Sequence, residues 1–132
     1  MNTSLIEFCA VADLKHIEGH SKRRVSWLYQ KILDEGVWTK PLALDLTHHL
    51  ALDGQHRMEV ARLLGLQKVP VVRFDYAKVP LRSLRANHQF DWQMVVERAL
   101  RGDIYPYKTV KHDFVTPLPL CHFSLKELGY AG

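Results

Sequence analysis

Cysteine is scarce: the 132 residues hold two, Cys9 and Cys121, far apart in the chain. A disulfide framework is excluded as the organising device, and no set of His, Cys and Asp stands at zinc-ligand spacing, so no structural metal is expected. Also lacking is any apolar run approaching the roughly 20 residues that cross a bilayer, which excludes membrane insertion. Nothing at the N-terminus combines a basic patch, an apolar run and a cleavage site, and a reducing, cytoplasmic setting is the expectation. Internal repeats, low-complexity segments and long runs of basic residues are absent as well. What remains is a chain in the size range of one compact domain, spanning 1–132 and 47% hydrophobic, large enough to bury a core without staples. Its net charge is +4, and eight histidines add latent positive charge below neutral pH. That sign suits an anionic ligand, and the scatter of the basic residues favours a compact pocket over a track for a polymer.

Residues 5–11, "LIEFCAV", read as an opening strand. From Ser21, a plausible N-cap, the apolar residues Val25, Leu28, Ile32 and Leu33 recur at spacings of three and four, predicting an amphipathic helix that stops at Gly36. "WTKPLALDL" fits a strand, and Thr47, His48 and His49 make a hairpin turn into "LALD". A second helix is predicted over Gln55 to Leu64, ended by Gly65, and a β-branched strand over "KVPVVRFDY" follows it. Asp91 can cap a third helix, "WQMVVERALRG", terminated by Gly102. The tail reads as ordered loop with one short helix near Ser124. Trp38 is expected in the core. Strands and helices interleave around one small sheet, so the class is α+β, bordering on α/β.

The most informative stretch is "LALDGQHR", residues 50 to 57, where an apolar strand runs straight into a helix. Gly54 permits close backbone approach, and the first helical turn offers unpaired N–H groups to an anion. Arg57 can grip phosphate oxygens in two-pronged fashion. Cations at a helix N-terminus oppose the helix dipole, and a bound anion would relieve the conflict. The bland alternative is an Asp-Gly turn with two solvated side chains.

"LDGQHRMEVARLLGLQKVPVVRFDY" resembles the core signature of the ParB/sulfiredoxin-like superfamily, a strand, a Gly-rich turn, a helix with an early His-Arg pair and a following "VPV" strand. Sulfiredoxins carry a reactive cysteine in a Gly-Gly-Cys-His-Arg turn, where this chain has Gln55, so the thiol that chemistry requires is missing. ParB-type DNA clamps show a Gly-Glu-Arg-Arg-like turn and continue into a helix-turn-helix region for which little chain remains. The free serine kinases of the superfamily are similar in three segments: their Asp-Gly-His-His-Arg turn, a glutamate after a Leu-x-x-His-like stretch, matched by "LKHIEGH", and a "PPKTTRH"-like stretch, matched by "YPYKTVKHDF".

This resemblance implies a compact ParB/sulfiredoxin-like domain, a small mixed sheet flanked by helices, that moves a phosphoryl group from ATP or ADP to the hydroxyl of a free amino acid, L-serine first. Glu18 would be the general base and Asp53 would orient the substrate or help hold Mg²⁺. Gly54, Gln55, His56 and Arg57 would hold the nucleotide phosphates. Lys108, Thr109, Lys111 and His112 would form a second basic and hydroxyl cluster for the amino-acid carboxylate or the transferred group. The expected partners are a small amino acid and a nucleotide, not nucleic acid or membrane. A non-enzymatic ParB-like nucleotide-binding regulator or DNA-associated module stays open as the alternative.

Overall fold

The structure, a computed structural model, describes residues 5–132. Its centre is a four-stranded mixed sheet ordered β1-β5-β3-β4, built from β1 (Glu7–Ala10), β3 (Leu42–Asp45), β4 (Ala51–Asp53) and β5 (Lys68–Phe74). β1 runs antiparallel to β5, β5 parallel to β3, and β3 antiparallel to β4. The expected single run through "WTKPLALDL" is broken: β2 (Val37–Trp38) leaves this sheet to pair with β8 (Phe123–Ser124), and Pro41 separates it from β3. A third pairing joins β6 (Leu81–Ser83) to β7 (Val110–His112).

Alternation along the strands sorts the core into two layers. Leu42, Leu44 and Ala51 pack with Val25, Ile32, Met58, Val60 and Ala61 under helices α1 (Lys22–Glu35) and α2 (Gln55–Leu63). Ala43, Leu50 and Leu52 point the other way, to Val95 and Ala99 of α3 (Trp92–Arg101) and to Ile17 and Tyr105. The expected α+β class and small mixed sheet flanked by helices are therefore present. Trp38 is buried at 1% exposure.

The helix limits follow the capping chemistry. The Ser21 Oγ accepts from the Arg24 N–H at 3.2 Å, and the Asp91 carboxylate accepts from the Met94 N–H at 2.8 Å. Gly36 and Gly102 close their helices in the left-handed conformation. The expected helix near Ser124 is not formed: residues 123 and 124 pair with β2, and turns follow to Gly129. Tertiary pairing with Val37 and Trp38 overrides local preference there. Among the described residues no helix is long and apolar enough to cross a membrane.

The segment before α1 lacks regular strand structure but is pinned on both sides. The Lys15 N–H donates to His49 O and the Ala51 N–H to Lys15 O; the Gly19 N–H donates to Tyr105 O and the Tyr105 N–H to Ile17 O. Residues 15 to 19 thus form an extended strap from the edge of β4 to the loop before β7. Glu18 rides on this strap.

Candidate functional site

A cleft of about 690 Å³ opens where the C-terminal end of β4 meets the start of α2. Six lysines and arginines line it against two carboxylates, Glu18 and Asp53. The imbalance favours an anion.

Gly54 makes the turn possible. Its φ of 102° lies in the left-handed region, and a Cβ there would collide with the Leu42 Cδ2 beneath it. The turn launches α2 with no side-chain cap, while the first intrahelical bond, from the Met58 N–H to Gly54 O, is 2.9 Å. The N–H groups of Gln55, His56 and Arg57 consequently precede any intrahelical partner. All three residues line the cleft.

Their side chains do different things. Gln55 is buried at 6% and turns inward, its amide donating to Ala51 O and its Oε1 facing His16 Nδ1 at 2.6 Å. It can serve the cleft by its backbone N–H, not by its carboxamide. His56 Nε2 accepts from the Ser21 N–H at 3.0 Å. Burial, with the charges of Arg24, His20 and His16, pushes His56 below the ordinary histidine value. The ring is therefore a neutral tautomer with its proton on Nδ1, a fixed donor. Burial also lowers the Arg57 guanidinium, against the attraction of Asp53. Among the described residues no salt bridge or side-chain hydrogen bond engages Arg57, so a half-buried fork of donors faces the cleft.

Glu18 stands across from this turn. Lys108 adopts a left-handed φ of 58°, and the N–H groups of the next two residues converge on one carboxylate oxygen: Thr109 N–H at 3.0 Å and Val110 N–H at 2.8 Å from Glu18 Oε1. Among the described residues Oε2 accepts no hydrogen bond. Burial raises the Glu18 carboxyl above its ordinary value, and nearby Asp53 adds to this, while the two backbone donors and Arg85 pull the other way. One oxygen is anchored and the other is available.

The expected cluster at residues 108 to 112 divides. Lys108 and Lys111 are exposed and line the cleft. Thr109 does not line it: the side chain is fully buried, its Oγ1 donating to Pro106 O at 2.6 Å and accepting from Arg85 Nε at 3.0 Å. Its contribution is the backbone N–H that holds Glu18. His112 lines the cleft but is buried, with Nε2 against the Tyr76 hydroxyl at 2.8 Å, and burial pushes its pKa down to about 4. It is a neutral brace and not a cation.

Sequence reasoning missed the α1 side of the cleft. Arg24, Trp27, Leu28 and Lys31 form one helical stripe along it, and Lys40 adds a further cation. The signal was present: Lys22, Arg23 and Arg24 crowd the first turn of α1 with no acid among them, the same conflict with the helix dipole that marked Arg57. Neither cysteine supplies a thiolate. Burial pushes Cys121 up to about 11 and raises Cys9 as well.

No protein-family model matches the chain, and a search of curated proteins returns no match. Solved structures do match. Free serine kinase in complex with AMP superposes with a TM-score of 0.82 at 13% identity, covering 93% of both chains. The same kinase with one glutamate replaced, in complex with ADP, gives 0.85 over the same shares at 13% identity. SbnI from Staphylococcus aureus, truncated at its C-terminus, gives 0.85 at 9% identity over 98% of this chain and 91% of its own. A conserved hypothetical protein from Pyrococcus furiosus gives 0.81 at 12% identity, over 93% and 97%. These likenesses show that the chain shares the fold of these proteins over nearly its whole length.

Proposed function

We propose that this chain is a phosphotransferase that moves a phosphoryl group from ATP or ADP to the hydroxyl of a free amino acid, L-serine before L-threonine or L-homoserine. The carrying observation is the cleft that joins the uncapped first turn of α2, with Arg57 beside it, to a glutamate that has one oxygen anchored and one available. The donor set fits a nucleotide diphosphate or triphosphate. Three backbone N–H groups, the Nδ1 of His56 and the fork of Arg57 bind phosphate oxygens, and Lys40, Lys108 and Lys111 offset the remaining charge. Trp27, Leu28 and Leu118 give the same cleft an apolar wall against which a base can stack. Solved structures of free serine kinase hold AMP and ADP on the same fold, which supports this reading.

Phosphoryl transfer asks for positioning, charge neutralisation and a group that takes the alcohol proton. Glu18 Oε2 takes that proton as the serine oxygen attacks the terminal phosphorus, and the bond from that phosphorus to the bridging oxygen breaks, releasing ADP from ATP or AMP from ADP. The raised carboxyl suits this role, because a base nearer the working pH accepts a proton more readily. Asp53, exposed at the end of β4, is the one carboxylate besides Glu18 in the cleft and would hold Mg²⁺ together with phosphate oxygens. Mg²⁺ would neutralise charge on the phosphates. Lys108 or Lys111 pairs with the amino-acid carboxylate.

The test is direct. Protein, Mg²⁺, either nucleotide and each of L-serine, L-threonine and L-homoserine are incubated, and phosphorylated amino acid is followed by mass spectrometry. O-phospho-L-serine is the expected product. No product with any acceptor under either nucleotide overturns the proposal, and a salt-dependent gel shift on DNA in its place would favour the regulator reading.

A further inference from the structure

His16 and His20, which flank Glu18 in the extended segment before α1, and Glu59 bring one ligand atom each to within 4.8 Å of one another. The three are half-buried, with side-chain exposures of 14%, 25% and 22%. None of them lines the cleft. His16 and His20 lie in an extended segment and Glu59 comes from the facing helix α2, so spacing along the chain does not disclose the group.

The hydrogen bonding at His16 contains a conflict. Gln55 Nε2 donates to Ala51 O, which orients Gln55 Oε1, an acceptor, toward His16 Nδ1 at 2.6 Å. Nδ1 must then carry the proton, which leaves the lone pair on Nε2. Yet Nε2 lies 2.6 Å from the Glu59 Oε2. A lone pair against a carboxylate is repulsive unless a second ring proton lies on the contact or Glu59 turns aside and a metal ion takes the lone pair.

We propose that His16, His20 and Glu59 form a binding site for one nitrogen-seeking transition-metal dication of the Zn²⁺ class. Two imidazoles and a carboxylate with a position left for water make a common donor set for such an ion, and two nitrogens among three ligands disfavour Mg²⁺ and Ca²⁺. The supporting shell is already built. Gln55 fixes the His16 tautomer, as a backbone or side-chain carbonyl does for metal-bound histidines. Arg62 Nη1 holds Glu59 Oε2 at 2.8 Å, so Oε1, the oxygen nearer His20, is the one that turns to the ion. Burial keeps His20 below the ordinary histidine value and so leaves its ring free to ligate. At Glu59 burial works in the opposite sense, but the His16 hydrogen bond and charge, with Arg62 and His20, hold the carboxyl below its usual range. The guanidinium of Arg62 opposes a second cation nearby, which weighs against hard ions held by charge alone. The bound ion would clip the strap to α2 on either side of Glu18. It would also explain Gln55, which the nucleotide turn does not need for its side chain.

The measurement uses the full chain, stripped with chelator and then titrated with Zn²⁺ by calorimetry and with Co²⁺ by visible absorption. One ion per chain is expected, with d–d bands of a low-coordinate Co²⁺ site and a melting temperature that rises with added Zn²⁺. His20→Ala and Glu59→Gln should weaken uptake about 100-fold or more. His122→Gln, an exposed histidine elsewhere, should leave it unchanged. Circular dichroism of each variant shows whether it is folded. No uptake of either ion, uptake that His20→Ala and Glu59→Gln leave intact, or Mg²⁺ binding as tight as Zn²⁺ overturns the site. These readouts are independent of serine phosphorylation, so the site and the proposed activity fail separately.

Discussion

Replacing Glu18 by glutamine and, separately, by alanine divides its chemical role from its structural one. Alanine removes the acceptor of the Thr109 and Val110 N–H groups, which meet Glu18 Oε1 at 3.0 and 2.8 Å. A buried donor left unsatisfied costs about 1–3 kcal/mol, and water reaches part of this half-buried site, so Glu18→Ala should lose about 2–4 kcal/mol of stability. Glutamine keeps an oxygen for both donors. It also removes an ionisation that the fold opposes. Because burial raises the folded carboxyl above its unfolded value, the native state holds the proton more tightly. The stability this contributes is full below the unfolded value and is lost as pH rises through the folded one. Above the folded value the wild type bears that loss and Glu18→Gln does not, so there the variant should be as stable as wild type or more so. Turnover should behave oppositely. Loss of a general base lowers rate by about 10²–10⁴-fold, while nucleotide affinity should stay as in wild type. Initial rates of phosphoserine formation, calorimetric ADP binding and thermal melts test all three. A glutamine variant that turns over within about tenfold of wild type refutes the proton-acceptor role. Equal loss of turnover and binding would make Glu18 a binding or structural residue.

Gly54→Ala should cost about 1–3 kcal/mol, since an L residue at φ 102° is strained and its Cβ overlaps Leu42; chemical denaturation that shows no loss contradicts the reading. Arg57→Ala should weaken ADP binding about 10- to 100-fold by calorimetry, and Arg57→Lys should recover little, because the two-pronged contact is lost; full affinity in the lysine variant would show that charge alone suffices. His112 supplies a pH signature. The unfolded ring takes a proton near pH 6.5 that the buried ring, at about 4, refuses, so stability should fall as pH drops from about 6.5 to 4. The window corresponds to roughly 3 kcal/mol, and melts of His112→Gln should lack that slope; an unchanged slope assigns the acid sensitivity elsewhere.

Much of the fold was legible because its signals are local. Ser21 and Asp91 cap helices, Gly36 and Gly102 end them, and the periodicity from Val25 to Leu33 matches the buried stripe. The turn at residues 53 to 57 was legible for the same reason: glycine, helix start and arginine are contiguous. What was hidden depends on contacts between distant segments. Residues 123 and 124 form a strand because Val37 and Trp38 are beside them, and nothing local announces it. Thr109 and His112 read as surface hydrogen-bonding groups, yet the pairing of β6 with β7 turns them inward, against Arg85 and Tyr76. Gln55 faces His16, thirty-nine residues away, and no local rule could have aimed it there. The basic stripe of α1 was the avoidable omission, since its first turn carries a dipole conflict that sequence alone displays.

In the proposed reaction, nucleotide phosphates would sit on the first turn of α2 and the accepting hydroxyl at Glu18. A crystal structure of Glu18→Gln with ADP, Mg²⁺ and L-serine measures both placements. Phosphate oxygens are expected within hydrogen-bond reach of the N–H groups of residues 55 to 57 and of Arg57. The serine Oγ is expected about 2.6–3.2 Å from the residue-18 side chain. A nucleotide bound away from that turn, or a serine hydroxyl out of reach of position 18 with the nucleotide in place, would contradict it.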